Sequence, residues 1–174
     1  MDVTIPAGSI VVGVDGTEHS RATVKWAVEL AQAVGRPVTI VNVYRHDQAL
    51  AEYAWAGSYT IDDAFAAAEE VVSEALAPFR HLGIVTGLTI NGDGWRPLVE
   101  LTADAWLLVV GSHGQSLLHG MLGSFAQKVL AHARCVAVVV PDAADRIASR
   151  VEELPATAAE IVTQGSGAVA ISAN

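Results

Sequence analysis

Two short segments of the chain carry residue types that could bind an anionic ligand. In the first, residues 111–114 (GSHG) are followed by an eight-residue spacer, 115–122, and then by a Gly-Ser pair at 123–124. Glycines let the backbone approach a ligand closely, and a helix that opens on Gly-Ser presents unpaired N–H groups to anions. This segment therefore predicts that backbone groups bind a phosphate.

The second segment is the turn at residues 15–17 (DGT), which directly follows an apolar run at residues 9–14 (SIVVGV). The Asp15 carboxylate has two interpretations. It could contact a ligand, or it could simply cap the helix that begins after it or the turn itself, as Asp often does before Gly. The sequence alone leaves both interpretations open.

The common motifs for phosphate binding by other folds and for catalysis are absent from the sequence. There is no Gly-x-x-x-x-Gly-Lys-Ser/Thr, and no Gly-x-Gly-x-x-Gly follows the first apolar run. No serine or cysteine lies in a recognisable nucleophile motif, and the histidines share no metal-ligand spacing. Cys135 begins an apolar run, which indicates a packed thiol. We therefore expect a binding protein and not an enzyme.

Apolar runs and helical periodicity predict the elements that position these two segments. Five runs bounded by turn residues predict buried strands at residues 9–14, 37–44, 85–90, 106–110 and 135–140. Apolar residues at helical spacing predict a helix that ends at Gly35 and further helices over residues 62–80, 96–103 and 125–132. Pro78 is expected to bend the last turn of the second helix. Residues 45–60 show no clear period and are interpreted as a long loop.

This alternation of strands and helices predicts an α/β fold: an open five-stranded parallel sheet with helices on both faces. In the strand order 3-2-1-4-5, the first and fourth strands are neighbours. Ligands of such sheets bind beyond the carboxyl ends of the strands, where the winding direction reverses. Asp15 and the turn at Gly111 would then face each other across one crevice.

Three parts of the sequence resemble the universal stress protein family: residues 10–20 (IVVGVDGTEHS), residues 37–44 (PVTIVNVY), and residues 107–141 with their GSHG and GSFAQKVLAHARCVAVVVP segments. The resemblance extends over residues 9–141 and implies a Rossmann-like fold. ATP-binding members of the family carry Gly-x-x-Gly, nine residues, and then Gly-Ser/Thr. This chain has the glycines and Ser124, but its spacer is one residue shorter.

The resemblance implies that the ligand is ATP, with magnesium or manganese bridging its phosphates. Asp15 and the backbone of Val43 would meet the adenine, while Val110 and Gly111 would lie at the ribose and its junction with the phosphates. The residues implied to hold the phosphates are His113, Gly114, Gly123, Ser124 and the backbone of Phe125. No residue is assigned a direct metal-ligating or catalytic role.

The function implied by the resemblance is that of a stress-response protein in which ATP occupancy is coupled to conformation or partner binding. Two alternatives remain open. A nucleotide-free dimeric interaction module is favoured by the shorter spacer, and another adenine nucleotide, such as cyclic AMP, could bind in the same crevice.

Charge and hydropathy exclude several other classes of protein. The net charge is −9, and the ten Lys and Arg residues form no cluster, which argues against binding of nucleic acid. No apolar run reaches the roughly 18 residues that a membrane span needs. Residues 1–9 show no secretory signal, so we expect a cytoplasmic protein.

The sequence changes character after Pro141. Residues 1–141 are predicted to form the nucleotide-binding domain, and residues 142–174 a C-terminal extension with a short helix and then a disordered tail. The strand at Cys135 to Val140 would be an edge strand without lysine or internal proline, which favours pairing with another chain. We therefore expect a two-fold homodimer through this strand. The competing possibility is that the extension folds back and covers the edge.

Overall fold

The computed structural model describes residues 5–45, 61–112, 122–141 and 169–171. The strands are β1 (Ile10–Gly13), β2 (Val38–Tyr44), β3 (Val85–Asn91), β4 (Leu107–Gly111), β5 (Val136–Val140) and β6 (Val169–Ile171). The helices are α1 (Glu18–Val34), α2 (Ile61–Leu76), α3 (Arg96–Leu101) and α4 (Ser124–His132), with 3₁₀ turns at Ala77–Leu82 and Thr102–Asp104. The predicted loop up to residue 60 and the predicted helix after Pro141 lie outside the described residues, apart from Arg45.

The strands of the described residues form one sheet in the order β3-β2-β1-β4-β5-β6. β1 to β5 are parallel, and β6 is antiparallel to β5. This confirms the predicted parallel order 3-2-1-4-5. The chain winds outward from β1 to β3 on one side and from β4 to β5 on the other, so the winding direction reverses between β1 and β4.

Helices cover both faces of the sheet, as predicted. α1 and α2 pack on one face, where Val12 of β1 meets Val24 of α1 in a buried cluster. α3 and α4 pack on the opposite face, where Val11 meets Leu98 and Val129. Because successive side chains of a strand point to opposite faces, β1 is buried on both sides. This burial fixes the strand that carries the turn at residues 15–17.

Both ends of α1 are determined by local chemistry. Thr17 is the N-cap, and its hydroxyl accepts a hydrogen bond from the Ser20 N–H at 3.3 Å. Gly35 takes a left-handed conformation with φ of 68°, and its N–H donates to the carbonyl of Ala31. Such a C-terminal conformation is easy for glycine and costly for other residues. The predicted end of this helix at Gly35 is confirmed.

The prediction that the second helix runs to residue 80 with a bend at Pro78 is wrong. α2 ends at Leu76, and Ala77–Leu82 form a 3₁₀ turn with Pro78 at its start. Proline has no N–H to donate to the carbonyl of Glu74, and its ring clashes with that carbonyl, so the α-helical bonding stops. The chain then reverses through Gly83, which has φ of 68°.

The other predicted elements are present with bounds that differ by one to three residues. The β1, β2, β4 and β5 strands each begin one residue later than predicted. The helix predicted over residues 96–103 ends at Leu101 and continues as the 3₁₀ turn Thr102–Asp104. No helix among the described residues is both long and apolar enough to cross a membrane.

β5 is not the edge strand that the sequence predicted. Residues 169–171 of the same chain form β6 and pair with it, opposite the side that contacts β4. The expected homodimer through residues 135–140 rested on this edge being free, and that premise is wrong. The expectation of a disordered tail also did not include this strand. A three-residue strand is too short to show periodicity in sequence. Its formation depends on pairing with a strand far away in the chain, which local sequence does not indicate.

Candidate functional site

An open cleft of about 410 Å³ lies at the carboxyl ends of β1, β2 and β4. Its position at the reversal of winding is where doubly wound sheets bind ligands, and its volume falls within the roughly 300–1,000 Å³ of small-molecule sites. Thirteen described residues line it: Gly13, Val14, Asp15, Ser20, Val41, Asn42, Val43, Gly94, Leu98, Val110, Gly111, Phe125 and Ala126. The predicted crevice between the turn after β1 and the turn after β4 is thus present.

Asp15 lies in the turn after β1, and its hydrogen bonds show that it stabilises this turn. Its Oδ1 accepts hydrogen bonds from the Thr17 N–H at 3.1 Å and from the Thr17 hydroxyl at 2.6 Å. Both bonds use the same oxygen, and the described residues supply no donor to Oδ2. Because Asp15 also lines the cleft, one carboxylate oxygen stabilises the turn while the other stays available to a ligand.

β2 extends beyond the end of β1 and thereby exposes its own backbone to the cleft. The last residue pair between the two strands is Gly13 with Val41, and the N–H of Val14 still donates to the Val41 carbonyl at 2.9 Å. Peptide groups two residues apart along a strand point to the same side. The N–H and C=O of Val43 therefore point toward the side that β1 has left, and Val43 lines the cleft.

Asn42 is a site residue that the sequence analysis missed. Its side chain is buried, and its Nδ2 donates to the carbonyl of Val14 at 2.8 Å. That carbonyl is the next acceptor along the β1–β2 ladder, so the Asn42 amide satisfies it at the point where the ladder ends. The available signal was an amide side chain within the otherwise largely apolar run PVTIVNVY. Its consequence is that Val14, and with it the turn at Asp15, is held to β2.

The far wall of the cleft consists of Val110, Gly111 and the start of α4. Gly111 is the last residue of β4, and the Ser112 N–H donates to the Val140 carbonyl at 2.9 Å. The Ser112 carbonyl in turn accepts the Gly123 N–H at 2.9 Å. This bond ties the beginning of α4 to the end of β4. It also uses the N–H of Gly123, so this group is not an open donor.

The N-terminus of α4 presents the open donors. Gly123 is its N-cap and supplies no side-chain acceptor, and the first helical bond to the Gly123 carbonyl comes from the N–H of Gln127 at 3.0 Å. The N–H groups of Ser124, Phe125 and Ala126 precede that bond and belong to the first turn, whose donors have no partner within the helix. Phe125 and Ala126 line the cleft, which places the positive end of the helix beside it.

The predicted residues His113 and Gly114, and all of the eight-residue spacer except Leu122, lie outside the described residues. Their roles stay predictions. Of the nine predicted site residues, Asp15, Val43, Val110, Gly111 and Phe125 line the cleft. Gly123 and Ser124 form the start of the helix that borders it.

The charge of the cleft constrains any anionic ligand. Among the described residues that line it, Asp15 is the one charged side chain. Phosphate groups would therefore be bound by backbone N–H groups and the helix dipole, since no described lysine or arginine lines the wall. The described residues also contain no group of three or more His, Cys, Asp or Glu side chains that could hold a metal ion by themselves.

Cys135 lies outside the cleft, immediately before β5. Partial burial raises the pKa of its thiol, although a hydrogen bond with Thr102 opposes the change. A raised pKa lowers the thiolate fraction at neutral pH, and the thiolate is the nucleophile. The structure therefore agrees with the interpretation of Cys135 as a packed thiol.

The chain is similar in sequence to proteins of one known family. The sequence model of the Universal stress protein family matches residues 7–141. Universal stress protein Rv2623 from Mycobacterium tuberculosis is 30% identical over 145 residues, which cover 76% of this chain and 47% of that protein. The chain thus spans about half the length of the curated relatives it matches.

Solved structures share the fold. A universal stress protein crystallised in complex with cAMP has a TM-score of 0.58 and 26% identity, and the match covers 78% of this chain and 98% of that one. The universal stress protein from Archaeoglobus fulgidus in complex with dAMP has a TM-score of 0.57 and 22% identity, covering 76% of this chain and 96% of that one; it supports the fold. With a family match over residues 7–141 and the sheet order in agreement, the chain belongs to the universal stress protein family.

Proposed function

We propose that this chain is a stress-response protein that binds an adenine nucleotide, with ATP as the leading candidate, in the cleft between β1 and β4. One observation carries the proposal. Three groups border the same cleft: the backbone of Val43, the carboxylate oxygen Oδ2 of Asp15, and the N-terminus of α4, which has no side-chain cap. These groups match what a nucleotide offers: a base edge with a donor and an acceptor, further polar groups on the nucleoside, and an anionic phosphate chain.

The base would lie at the β2 side of the cleft. The N–H and C=O of Val43 form a donor and acceptor pair, and adenine offers the complementary pair at N1 and the N6 amino group. Apolar side chains that line the cleft, Val41, Leu98 and Val110, supply the surface on which a flat ring can pack. Asp15 Oδ2 adds one further acceptor for a polar group of the nucleoside.

The phosphates would lie at the start of α4. The N–H groups of Ser124 and Phe125 and the backbone at Gly111 border this end of the cleft, and His113 and Gly114 are proposed to complete the set. In a protein of net charge −9, a divalent cation such as magnesium or manganese would offset the charge of the phosphates. The chain's own residues hold the nucleotide, and we propose no catalytic step.

Nucleotide occupancy could be coupled to the conformation of the chain through the hydrogen bond from the Gly123 N–H to the Ser112 carbonyl. It joins α4 to the end of β4, and β4 pairs with β5 through five residue pairs. A nucleotide that contacts both Val43 of β2 and the start of α4 would link these two elements directly, whereas without it they are connected through the sheet. A cytoplasmic location, expected from the sequence, belongs to the same proposal.

Cyclic AMP is a second candidate for the same cleft. The observation that favours it is the relative solved in complex with cAMP, which is 26% identical and matched over 78% of this chain. Cyclic AMP has the same adenine edge as ATP but a single cyclic phosphate. It would therefore use the Val43 contacts fully and the α4 contacts less.

Isothermal titration calorimetry of the full chain with ATP, ADP, AMP, cAMP and GTP tests the proposal, each with and without magnesium. We expect saturable binding of at least one adenine nucleotide below millimolar concentration. GTP is the matched control, because guanine carries a donor at N1 and an acceptor at O6, the reverse of adenine. Absence of saturable binding for every adenine nucleotide, or equal affinity for ATP and GTP, would contradict the proposal.

Asn42→Ala is expected to lower nucleotide affinity severalfold and the free energy of unfolding by about 1 kcal/mol. The reason is that the Val14 carbonyl loses its donor, so that the turn at Asp15 is no longer held to β2. Calorimetry and urea unfolding measure the two effects.

The matched control for Asn42→Ala is Thr39→Ala, which also removes a buried polar side chain from β2. The Thr39 hydroxyl lies 3.4 Å from that of Thr86 and does not line the cleft. Thr39→Ala should change stability without changing affinity. Parental affinity in Asn42→Ala, or equal losses of affinity in the two variants, would show that Asn42 has no role at the site.

A further inference from the structure

The edge of β5 has the properties of a strand that pairs readily with another chain. Val136–Val140 reads VAVVV, with no charged residue and no internal proline. β4 occupies one side of this strand through five residue pairs. Natural proteins protect such edges with charges, prolines, bulges or a covering segment, because an open apolar edge templates aggregation or dimerisation. β5 has none of the sequence-level protections.

β6 supplies the covering segment from within the same chain. It runs antiparallel to β5 with the pairs Ala137–Ile171, Val138–Ala170 and Val139–Val169. Its three residues, VAI, stand in a stretch that otherwise contains Gly, Ser, Ala and Asn (GSGAVAISAN). Only this short segment of the stretch combines β-branched residues in the way that favours a strand. Because β6 has three residues, the new outer edge it creates is short and therefore a poor template.

β6 lies outside the part of the chain that the family model matches, residues 7–141. The cAMP-bound relative is matched over 98% of its own length by 78% of this chain, which leaves little of that protein to supply a similar extension. The shared domain therefore accounts for nearly all of that relative, and β6 is additional to the region that the family model matches.

We propose that β6 is an intramolecular cap that keeps the full chain monomeric, and that its removal opens β5 to antiparallel pairing with β5 of a second copy. β6 and the β5 strand of a second copy would pair with the same edge of β5, so the two pairings exclude each other. β6 is favoured because it is covalently attached, which gives it a high effective concentration at the edge. Its three pairs are few, so it can be displaced without loss of the domain.

Cross-linking tests the register directly in the full chain. In a Cys135→Ala background, Val138→Cys combined with Ala170→Cys places two thiols at directly opposed positions. The matched control combines Val138→Cys with Ile171→Cys, which is shifted by one residue, so the two side chains point to opposite faces. Under mild oxidation at micromolar concentration, we expect an intramolecular disulfide in the first variant and much less in the control. Cross-links between two copies, or equal yields in both variants, would overturn the proposal.

The oligomeric state provides the second readout. Val169→Pro with Ala170→Pro removes two successive N–H groups, one of which faces β5 whichever way the strand alternates. Val169→Thr with Ala170→Ser is the control, because it keeps both N–H groups. Multi-angle light scattering should give a monomer for the parent and for the control, and a dimer for the proline variant. A dimeric parent, or a proline variant that remains monomeric, would overturn the proposal. The outcome is independent of nucleotide binding.

Discussion

Asp15→Asn is expected to weaken ATP binding about tenfold or more while leaving the turn after β1 in place. Asparagine keeps an oxygen that can accept the two bonds from Thr17, which in the parent measure 3.1 and 2.6 Å. It replaces the second carboxylate oxygen with an NH₂ group, so the acceptor that faces the cleft becomes a donor. A hydrogen bond to a charged group contributes about 1.5–3 kcal/mol, which corresponds to roughly a tenfold or greater change in affinity. Calorimetry against the parent measures the loss.

Thr17→Ala is the matched control for Asp15→Asn. It removes the hydroxyl that bonds Asp15 Oδ1 and caps α1, but it leaves Oδ2 untouched. Loss of an N-cap costs about 1 kcal/mol of stability, and we expect a much smaller change in affinity than in Asp15→Asn. If Asp15→Asn binds like the parent and Thr17→Ala does not, Asp15 acts only through the turn.

Gly87→Ala is expected to destabilise the fold by about 1–3 kcal/mol, because the added methyl group would clash with the buried side chain of Val72. Gly87 lies on β3, next to α2, and a methyl group there would clash with Cγ1 of Val72. Its φ is not positive, so backbone strain makes no contribution. The effect is therefore purely one of contact between β3 and α2, and a fall in the midpoint of thermal or urea unfolding measures it.

The double variant Gly87→Ala with Val72→Ala isolates that contact. Val72→Ala alone leaves a cavity, and the new methyl group at residue 87 would fill part of it. We expect the double variant to be clearly more stable than the sum of the two single losses, since contacting residues do not behave additively. Strict additivity, or a neutral Gly87→Ala, would mean that α2 does not pack on β3 as the structure has it.

Most of the fold follows from local properties of the sequence. The five parallel strands are nearly continuous apolar runs, and α1 ends at Gly35, whose role as a C-terminal cap follows from residue type. Its N-cap, Thr17, was not predicted, since Asp15 was considered for that role. The end of α2 was mispredicted because apolar residues continue at helical spacing to Phe79. The hydrogen bonds do not continue, owing to Pro78. Periodicity reports which face is buried and not where the bonding stops. β6 was missed because three residues carry no period.

Among the site residues, too, those recognisable from local sequence were predicted, and one that depends on a distant contact was not. Asp15, Gly111 and Ser124 were found as residues of unusual turns, and Val43 came from the resemblance to the universal stress protein family. Asn42 was missed because its role depends on a contact with Val14, which lies 28 positions away in the chain. Residue type alone does not distinguish a polar residue that is tied to a turn from one that is merely tolerated in a strand.

The nucleotide site is tested most directly by a ¹⁵N–¹H correlation spectrum of the full chain titrated with magnesium-ATP. We expect saturable shifts of the Val43 amide and of the Ser124 and Phe125 amides, because these groups would become donors to the base and the phosphates. The Val85 amide, on β3 and away from the cleft, should not move. No saturable shift at Val43 and α4, or shifts centred on other residues, would contradict the assignment of this cleft as a nucleotide site.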